Sequence, residues 1–417
     1  MIKVNFGKEI LELDIPKKNI AFNMRANEFP VPKSELEEIR NSLLNPIGSK
    51  RLKDIVKPNQ TVVILGDDRT RLTPQDRIIP IVLEELSSAG IKPNQIKIII
   101  ATGTHRPMTE HEIEAKYSRK LMNEVEIKNH NYKDPNKLVD KGTTRRGTRI
   151  IVNKEFLEAD IHIGIGGILP HHPVGWSGGA KILLPGVAGD ETTSDMHLLG
   201  ATEQQLGKIE TPCRQEMEDF ASEVGLEFIV NVIMDSDGKV LKCISGHFIK
   251  AHREAVKWGF EVFGVKFNEY ADITLSSTYP MDYDLSQGDK GLFSAELATK
   301  PGGEIILLSP CAEGIAPTHG DTMAWLAQFD DDKIWEMLKN KQIEDRFAAA
   351  ESMYLNHIKK HFKATLMMDP ISTSIMRFHY ISKNDLRLYL DHRLKIDHNL
   401  KIGIIHQSTE VLPIFSK

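Results

Sequence analysis

The chain has 417 residues, more than one hydrophobic core usually supports, and its 41% hydrophobic and 27% charged content is that of an ordinary globular protein. A net charge of −5 with no dense basic cluster argues against a nucleic-acid partner, and no apolar run approaches the length of a membrane span. Three widely separated cysteines (Cys213, Cys243, Cys311) and an N-terminus without the basic and apolar regions of a secretory signal lead to the expectation of a reducing, cytoplasmic address, with neither a disulfide framework nor a thiolate metal cage.

Apolar and polar residues alternate at Ile2, Val4, Phe6 and at Leu11, Leu13, Ile15, which predicts a short antiparallel hairpin; residues 32–45 read as a helix. A strand is expected at 61–65, followed by the loop Gly66-Asp67-Asp68-Arg69-Thr70-Arg71 and a helix over about 74–89 with Ile78, Ile79, Val82, Leu83 and Leu86 on one face. Residues 96–101 form the next strand, which ends in Thr102-Gly103-Thr104-His105. Strand, polar loop, helix and strand are the unit of a parallel α/β sheet, and ligands of such sheets sit beyond the carboxyl ends of the strands. Asp68, Arg71 and His105 fall there.

The densest chemistry lies at 161–197, where an apolar run leads into His171 and His172, a glycine-rich turn with Ser177, Gly178 and Gly179, then Lys181 and His197. Clustered glycines let a backbone approach a bound group closely. Lys181 is followed by Ile-Leu-Leu-Pro, so its ammonium is expected to be partly desolvated and its amine able to react. Beyond this stretch, 228–234 and 239–244 flank Asp235-Ser236-Asp237-Gly238 as a hairpin, and 248–263 reads as a helix. A second α/β rhythm starts near 270, which divides the chain into units of 1–267 and 268–417. Its first strand, 271–277, leads into a loop carrying Ser286, Gln287 and Lys290; a strand at 304–308, helices over much of 322–362, and weaker strands at 365–368, 378–382 and 402–406 follow.

Several chemistries compete for the glycine-rich stretch. Gly175-Trp176-Ser177-Gly178-Gly179 fits the letters of a serine hydrolase elbow, but Pro170 and Pro173 interrupt the strand-to-turn junction that motif needs. A Walker P-loop would require Gly before Lys181 and Ser or Thr after it, where this chain has Ala180 and Ile182. His105, His171, His172 and His197 lack the spacing of a structural zinc site, although histidines at strand-exit loops suit acid and base work. Asp68 and Arg71 read equally well as caps of the following helix, and Lys290 as a solvated side chain, although a cation at a helix start hints at an anionic partner. From the residues alone, this is an α/β enzyme whose crevice holds a reactive lysine, histidines and cations suited to a carboxylate or phosphate. A pyridoxal-phosphate enzyme using Lys181 satisfies the same description.

Four blocks, Asp68-Arg69-Thr70-Arg71, Thr102-Gly103-Thr104-His105, His171 through His197, and Gln287-Gly288-Asp289-Lys290, resemble the nickel-dependent lactate racemase family of 2-hydroxyacid racemases and epimerases. The resemblance implies two Rossmann-like α/β domains with the active site in the cleft between them. It implies a nickel-pincer nucleotide, pyridinium-3,5-bisthiocarboxylic acid mononucleotide nickel, covalently attached at Lys181 and made by separate cofactor-biosynthesis proteins. By the same matching, His197 is the nickel ligand, His105 and His171 are the catalytic pair, and Asp68, Ser177, Gly178 and Gly179 hold the cofactor. Arg71, Ser286, Gln287 and Lys290 bind the substrate. One departure stands out: lactate racemases carry tyrosine immediately before the glutamine, where this chain has Ser286. The exchange favours a 2-hydroxyacid larger or more polar than lactate, such as a sugar acid or dicarboxylate, with lactate itself as the alternative. Glu313 and His319 are candidates for contacts beyond Cα. A non-catalytic cofactor carrier is the rival of another class, and the retained pair His105 and His171 argues against it.

Overall fold

Two six-stranded sheets organise the computed structural model, which describes residues 1–201, 204–368 and 376–416. The first sheet runs, edge to edge, Val240–Gly246, Phe228–Met234, Ile161–Gly167, Val62–Asp67, Ile96–Ala101 and Glu126–Asn129; all neighbours are parallel except the first pair. The second runs His379–Tyr380, Lys363–Met367, Thr299–Leu308, Ala271–Ser277, Ile402–Ile405 and Ile20–Met24, parallel throughout. The α/β class expected from the sequence is therefore the class observed.

Continuous apolar runs form the central strands because each is covered on both faces. Every residue of Val62–Asp67 and of Phe228–Met234 is buried. Val62 pairs with Ile96 on one side and Ile161 on the other, so three strands end level and release their loops along one edge. Helix Gln75–Ser88 covers this sheet with Ile78, Ile79, Val82 and Leu86, each contributing up to about 2 kcal/mol by burial. Helix Lys250–Phe263 packs against the glycine-rich loop, with His252 Nε2 donating to the carbonyl oxygen of Ser177 at 2.9 Å. Its Gly259 is needed there, since a Cβ would stand 2.7 Å from the Trp176 ring. An alanine at 259 would push Trp176, and with it the glycine-rich loop, toward the cleft.

The two sheets do not divide the chain at one point. Strand Ile20–Met24 completes the edge of the second sheet, and Val4, Phe6, Leu13 and Ile15 of the N-terminal hairpin pack against Ile273, Leu275, Ile306 and Ile404. Residues 1–24 thus lie with the second sheet, although the sequence reading grouped them with the first unit. Chain continuity suggests the first grouping; only pairing across about 380 positions reveals the second. Strand Gly264–Phe267 pairs with Leu412–Phe415, and Ala271–Ser277 then lies in the second sheet. A further hairpin, Leu138–Thr143 with Arg149–Asn153, was not legible beforehand: it is short, and half of it is exposed.

Candidate active site

The level strand ends of the first sheet and the loop after Ala271–Ser277 enclose a cleft of about 1240 Å³, its open mouth included. Asp68, Arg71, His105, His171, Ser177, Gly178, Lys181, His197, Ser286, Gln287 and Lys290, drawn from loops far apart in sequence, all line it.

Asp67 ends its strand but serves the structure: Thr73 Oγ1 and Gln75 Nε2 donate to its carboxylate, and Lys116 Nζ lies 3.2 Å away. Asp68 turns the other way. Its Oδ1 accepts from the backbone nitrogen of Thr70 at 2.9 Å and from Thr70 Oγ1 at 2.6 Å, while His105 Nδ1 donates to Oδ2 at 2.7 Å. Burial alone would raise the Asp68 pKa, but His105, Arg71 and Thr70 outweigh it and hold the carboxyl well below its ordinary range. A fixed carboxylate on Nδ1 assigns the proton there and leaves His105 Nε2 as an acceptor facing the cleft.

His171 sits on a two-residue ladder in which it pairs with Gly175. Gly175 has φ +78°, and a Cβ there would fall 1.9 Å from the carbonyl oxygen of Lys208, so no other residue fits the turn. His171 and His172 lie parallel with ring centroids 5.7 Å apart, and His172 stacks on Phe293 at 4.0 Å. Both are pushed well below the ordinary histidine value, by burial first and then by the cations Lys181 and Lys290. His171 is thus a neutral base, and its Nδ1 is buried without a partner.

The hydroxyl of Ser177 donates to the carbonyl oxygen of Gly167 and accepts from the backbone nitrogen of Leu169, both at 2.7 Å. It closes the loop and is not a free nucleophile. Gly179 does not line the cleft; its nitrogen donates to Asn231 Oδ1 at 2.9 Å and shapes the turn before Lys181. Arg214 secures the same turn from beneath, donating to the carbonyl oxygens of Gly178 and Trp176. Lys181 Nζ has no hydrogen-bond or ion-pair partner among the described residues, and burial, followed by Arg71 and Lys290, holds its ammonium well below the lysine range. Its amine is consequently available as a nucleophile.

His197, on helix Asp190–Leu199, donates from Nδ1 to the carbonyl oxygen of Thr193 at 2.8 Å. Burial brings its pKa down to about 3 against the raising effect of that bond, and Nε2 is left bare. A neutral imidazole with Nδ1–H fixed on a backbone carbonyl is the form in which histidine ligates a metal.

From the second sheet, Gln287 joins the two walls. Its Oε1 accepts from Arg71 Nη1 at 3.1 Å and from Lys290 Nζ at 2.7 Å, an arrangement that turns its amide nitrogen toward His105 Nε2 at 3.4 Å. Ser286 Oγ donates to Asp284 Oδ1 at 2.6 Å. Lys290 is lowered to about 8 by burial and by Arg71, against the pull of Asp289 and Glu351. Those two buried carboxyls lie within ligand reach of His172, and burial pushes both upward. Glu351 and Phe347 also line the cleft and were missed in the sequence, since each looks like any residue of helix Arg346–His361. Glu313 stays outside, pairing with Arg69 at 2.7 Å.

The donor set suits a metal-bearing, anionic group. Lys181 offers an unpaired amine, His197 a bare nitrogen, and Arg71 and Lys290 two cations that share one neutral acceptor.

Residues 6–207 match the lactate racemase N-terminal domain. The chain is 33% identical over 383 residues to a lactate racemase of Thermoanaerobacterium thermosaccharolyticum, with 88% of each chain covered. It is 32% identical over 343 residues to a lactate racemase of Lactiplantibacillus plantarum, covering 80% of this chain and 79% of the relative. The fold superposes on the lactate racemase apoprotein of T. thermosaccharolyticum with a TM-score of 0.86 and 28% identity over the full length of both. A crystal structure of a Thermotoga maritima protein shares the fold alone, with a TM-score of 0.72 at 20% identity over 94% of this chain and 100% of that one. The chain, an isomerase, belongs to the lactate racemase family.

Proposed function

We propose that this protein interconverts the two configurations at C2 of a 2-hydroxyacid larger or more polar than lactate, using a nickel-pincer nucleotide held at Lys181. The observation that carries the reading is the convergence on one cleft of an unpaired lysine, a metal-ready histidine, and two further histidines with acceptor nitrogens. Lys181 is the covalent attachment point and His197 Nε2 the protein's ligand to nickel. When bound, the nucleotide supplies the acceptor and donor of the C2 hydride.

The chain's own residues do the rest. Arg71 and Lys290 release Gln287 Oε1 and take the substrate carboxylate through charge-assisted bonds, which fixes the substrate while its C2 substituents reorient. His105, with Nδ1 committed to Asp68, accepts the C2 hydroxyl proton on Nε2 from one enantiomer. His171, kept neutral by burial and nearby cations, performs the same task for the other. By microscopic reversibility each histidine protonates the same hand that it deprotonates, so the proton taken by one must reach the other across the cleft before the opposite hand forms. Ser286 in place of an aromatic ring leaves room beyond C2.

The test is stereochemical. His105→Ala and His171→Ala are each expected to lose activity by about 10²-fold or more, with opposite enantiomer bias in single-turnover oxidation of C2-deuterated substrate. Equal bias in both variants, or full activity in both, would refute the assignment.

A further inference from the structure

Besides His172, one more imidazole in the cleft, that of His319, has no part in that scheme. His319 follows the exit loop of strand Thr299–Leu308 and is 6% exposed. Its Nδ1 donates to Asp345 Oδ2 at 2.8 Å, and Asp345 Oδ1 in turn accepts from the backbone nitrogen of Ala348 at 2.9 Å, so the carboxylate is fixed from two sides. Phe347 supports the ring at 4.5 Å. Nε2 is buried without a hydrogen-bond partner, and the residue lines the cleft. A buried imidazole nitrogen left unpaired is costly, by about 1–3 kcal/mol, and one so firmly oriented implies a partner that arrives with the ligand.

The neighbouring wall narrows what that partner is. Backbone bonds from Leu285 to Gly314 at 2.9 Å and from Ser286 to Ile315 at 3.0 Å join the His319 loop to the Ser286 loop. Thr318 Oγ1 donates to the carbonyl oxygen of Thr104, which ties both to the loop of His105. Ser286 Oγ donates its hydrogen bond to Asp284 Oδ1, and His319 Nδ1 donates to Asp345 Oδ2, with Nε2 the ring nitrogen turned to the cleft. Both therefore present acceptors. Arg69 and Arg106, also in the cleft wall, are closed into a balanced network with Glu112 and Glu313 and offer no unpaired cation. A wall of acceptors without a spare cation matches an O–H group and not a second carboxylate.

We propose that His319, held by Asp345 and assisted by Ser286, accepts a hydrogen bond from a hydroxyl on the carbon chain beyond C2, so that the substrates are polyhydroxy 2-hydroxyacids and not dicarboxylates. The assignment rests on the racemase reading above. Glycerate, lactate and malate share the 2-hydroxyacid head and differ at C3 in carrying a hydroxyl, hydrogen only or a carboxylate, which makes them suitable probes.

Each acid is titrated into the full-length chain labelled with ¹⁵N-histidine, expressed alone and with the cofactor-making proteins. Glycerate is expected to shift the Nε2 resonance of His319 and to bind about tenfold more tightly than lactate or malate. His319→Phe brings glycerate and lactate within about twofold of each other; His319→Gln, which keeps an acceptor oxygen, restores part of the preference. Ser286→Ala gives an independent, smaller loss should the His319 variants misfold. Equal binding of glycerate and lactate by the unaltered chain, tightest binding of malate, or an unchanged ratio in His319→Phe overturns the proposal. Racemisation of the same acids is followed separately. Its absence would remove the racemase reading while the binding result still decides the role of His319.

Discussion

The two walls of the cleft are built on different principles. On the first-sheet side, His197 is held by the Thr193 carbonyl, Lys181 by a glycine turn braced from Asn231 and Arg214, and His171 by its pairing with Gly175, while His105 alone of these nitrogens is held by a side chain, Asp68. On the second-sheet side, side chains hold one another: Gln287 bridges Arg71 and Lys290, Asp284 holds Ser286, and Asp345 holds His319. Backbone fixation suits groups whose position must not vary, whereas side-chain chains can be rewired by one substitution. Under the proposed function the first wall carries the chemistry and the second selects the substrate.

The sharpest way to break that division is Lys181→Ala. It should abolish the cofactor adduct in intact-mass spectra and reduce turnover on the order of 10³-fold or more, and Lys181→Arg should not rescue it, since guanidinium does not become a nucleophile. An active, unmodified Lys181 variant would place the chemistry elsewhere. Next in size is Gln287→Ala. Gln287 orients Arg71 and Lys290 before substrate arrives and turns its amide toward His105 Nε2 at 3.4 Å, so its loss should lower kcat/KM roughly 10- to 100-fold through lost preorganisation. The loss should fall mainly in KM if the second wall selects and mainly in kcat if it takes part in the chemistry.

The smallest effect concerns stability and pH, where buried groups pull in opposite directions. On the first-sheet side, burial lowers His197 to about 3 and His130 to about 4. As pH falls below about 6.5 the unfolded chain binds protons that these folded histidines do not, so stability drops by up to about 1.4 kcal/mol per pH unit for each. Glu410, beside the second sheet, is raised to about 8 by burial and by Asp235. It keeps a proton that the unfolded chain releases above about pH 4.5, and its contribution is lost as pH rises toward 8. Melting of the cofactor-free chain should show a Tm maximum with both limbs falling, and Glu410→Gln should flatten only the alkaline limb. A Tm that stays constant from pH 7 to 5 would contradict the buried-histidine account.

Legibility in the sequence followed the same division. The first wall announced itself because backbone constraint leaves marks: glycines at 175, 178 and 179, prolines at 170 and 173, and strand-ending polar loops at 68 and 105. The apolar runs of the central strands and the face of helix Gln75–Ser88 were equally plain. On the second wall Lys290 stood out only as a cation at a helix start, and Ser286, Gln287 and His319 only through a resemblance, because a side-chain network has no periodicity. Asp345 reads as an ordinary helix cap, and Glu351 as one more residue on a buried helix face, until the fold brings them to the cleft. The partnership of Ile20–Met24 with Ile402–Ile405 was hidden for a related reason: local pattern specifies a strand but not a distant neighbour.

That last pairing bears on how the protein is made. Ile20, Phe22 and Met24 leave the ribosome among the first residues, yet their partner strand lies near the other end, on the order of tens of seconds later at ordinary elongation rates. Through that interval a short apolar strand must wait without its ladder while the first sheet, local in sequence from 62 to 246, can already form. Strand Ile20–Met24 is paired only once Ile402–Ile405 has been made, so the second sheet closes on that edge about 380 residues after the strand itself was synthesised.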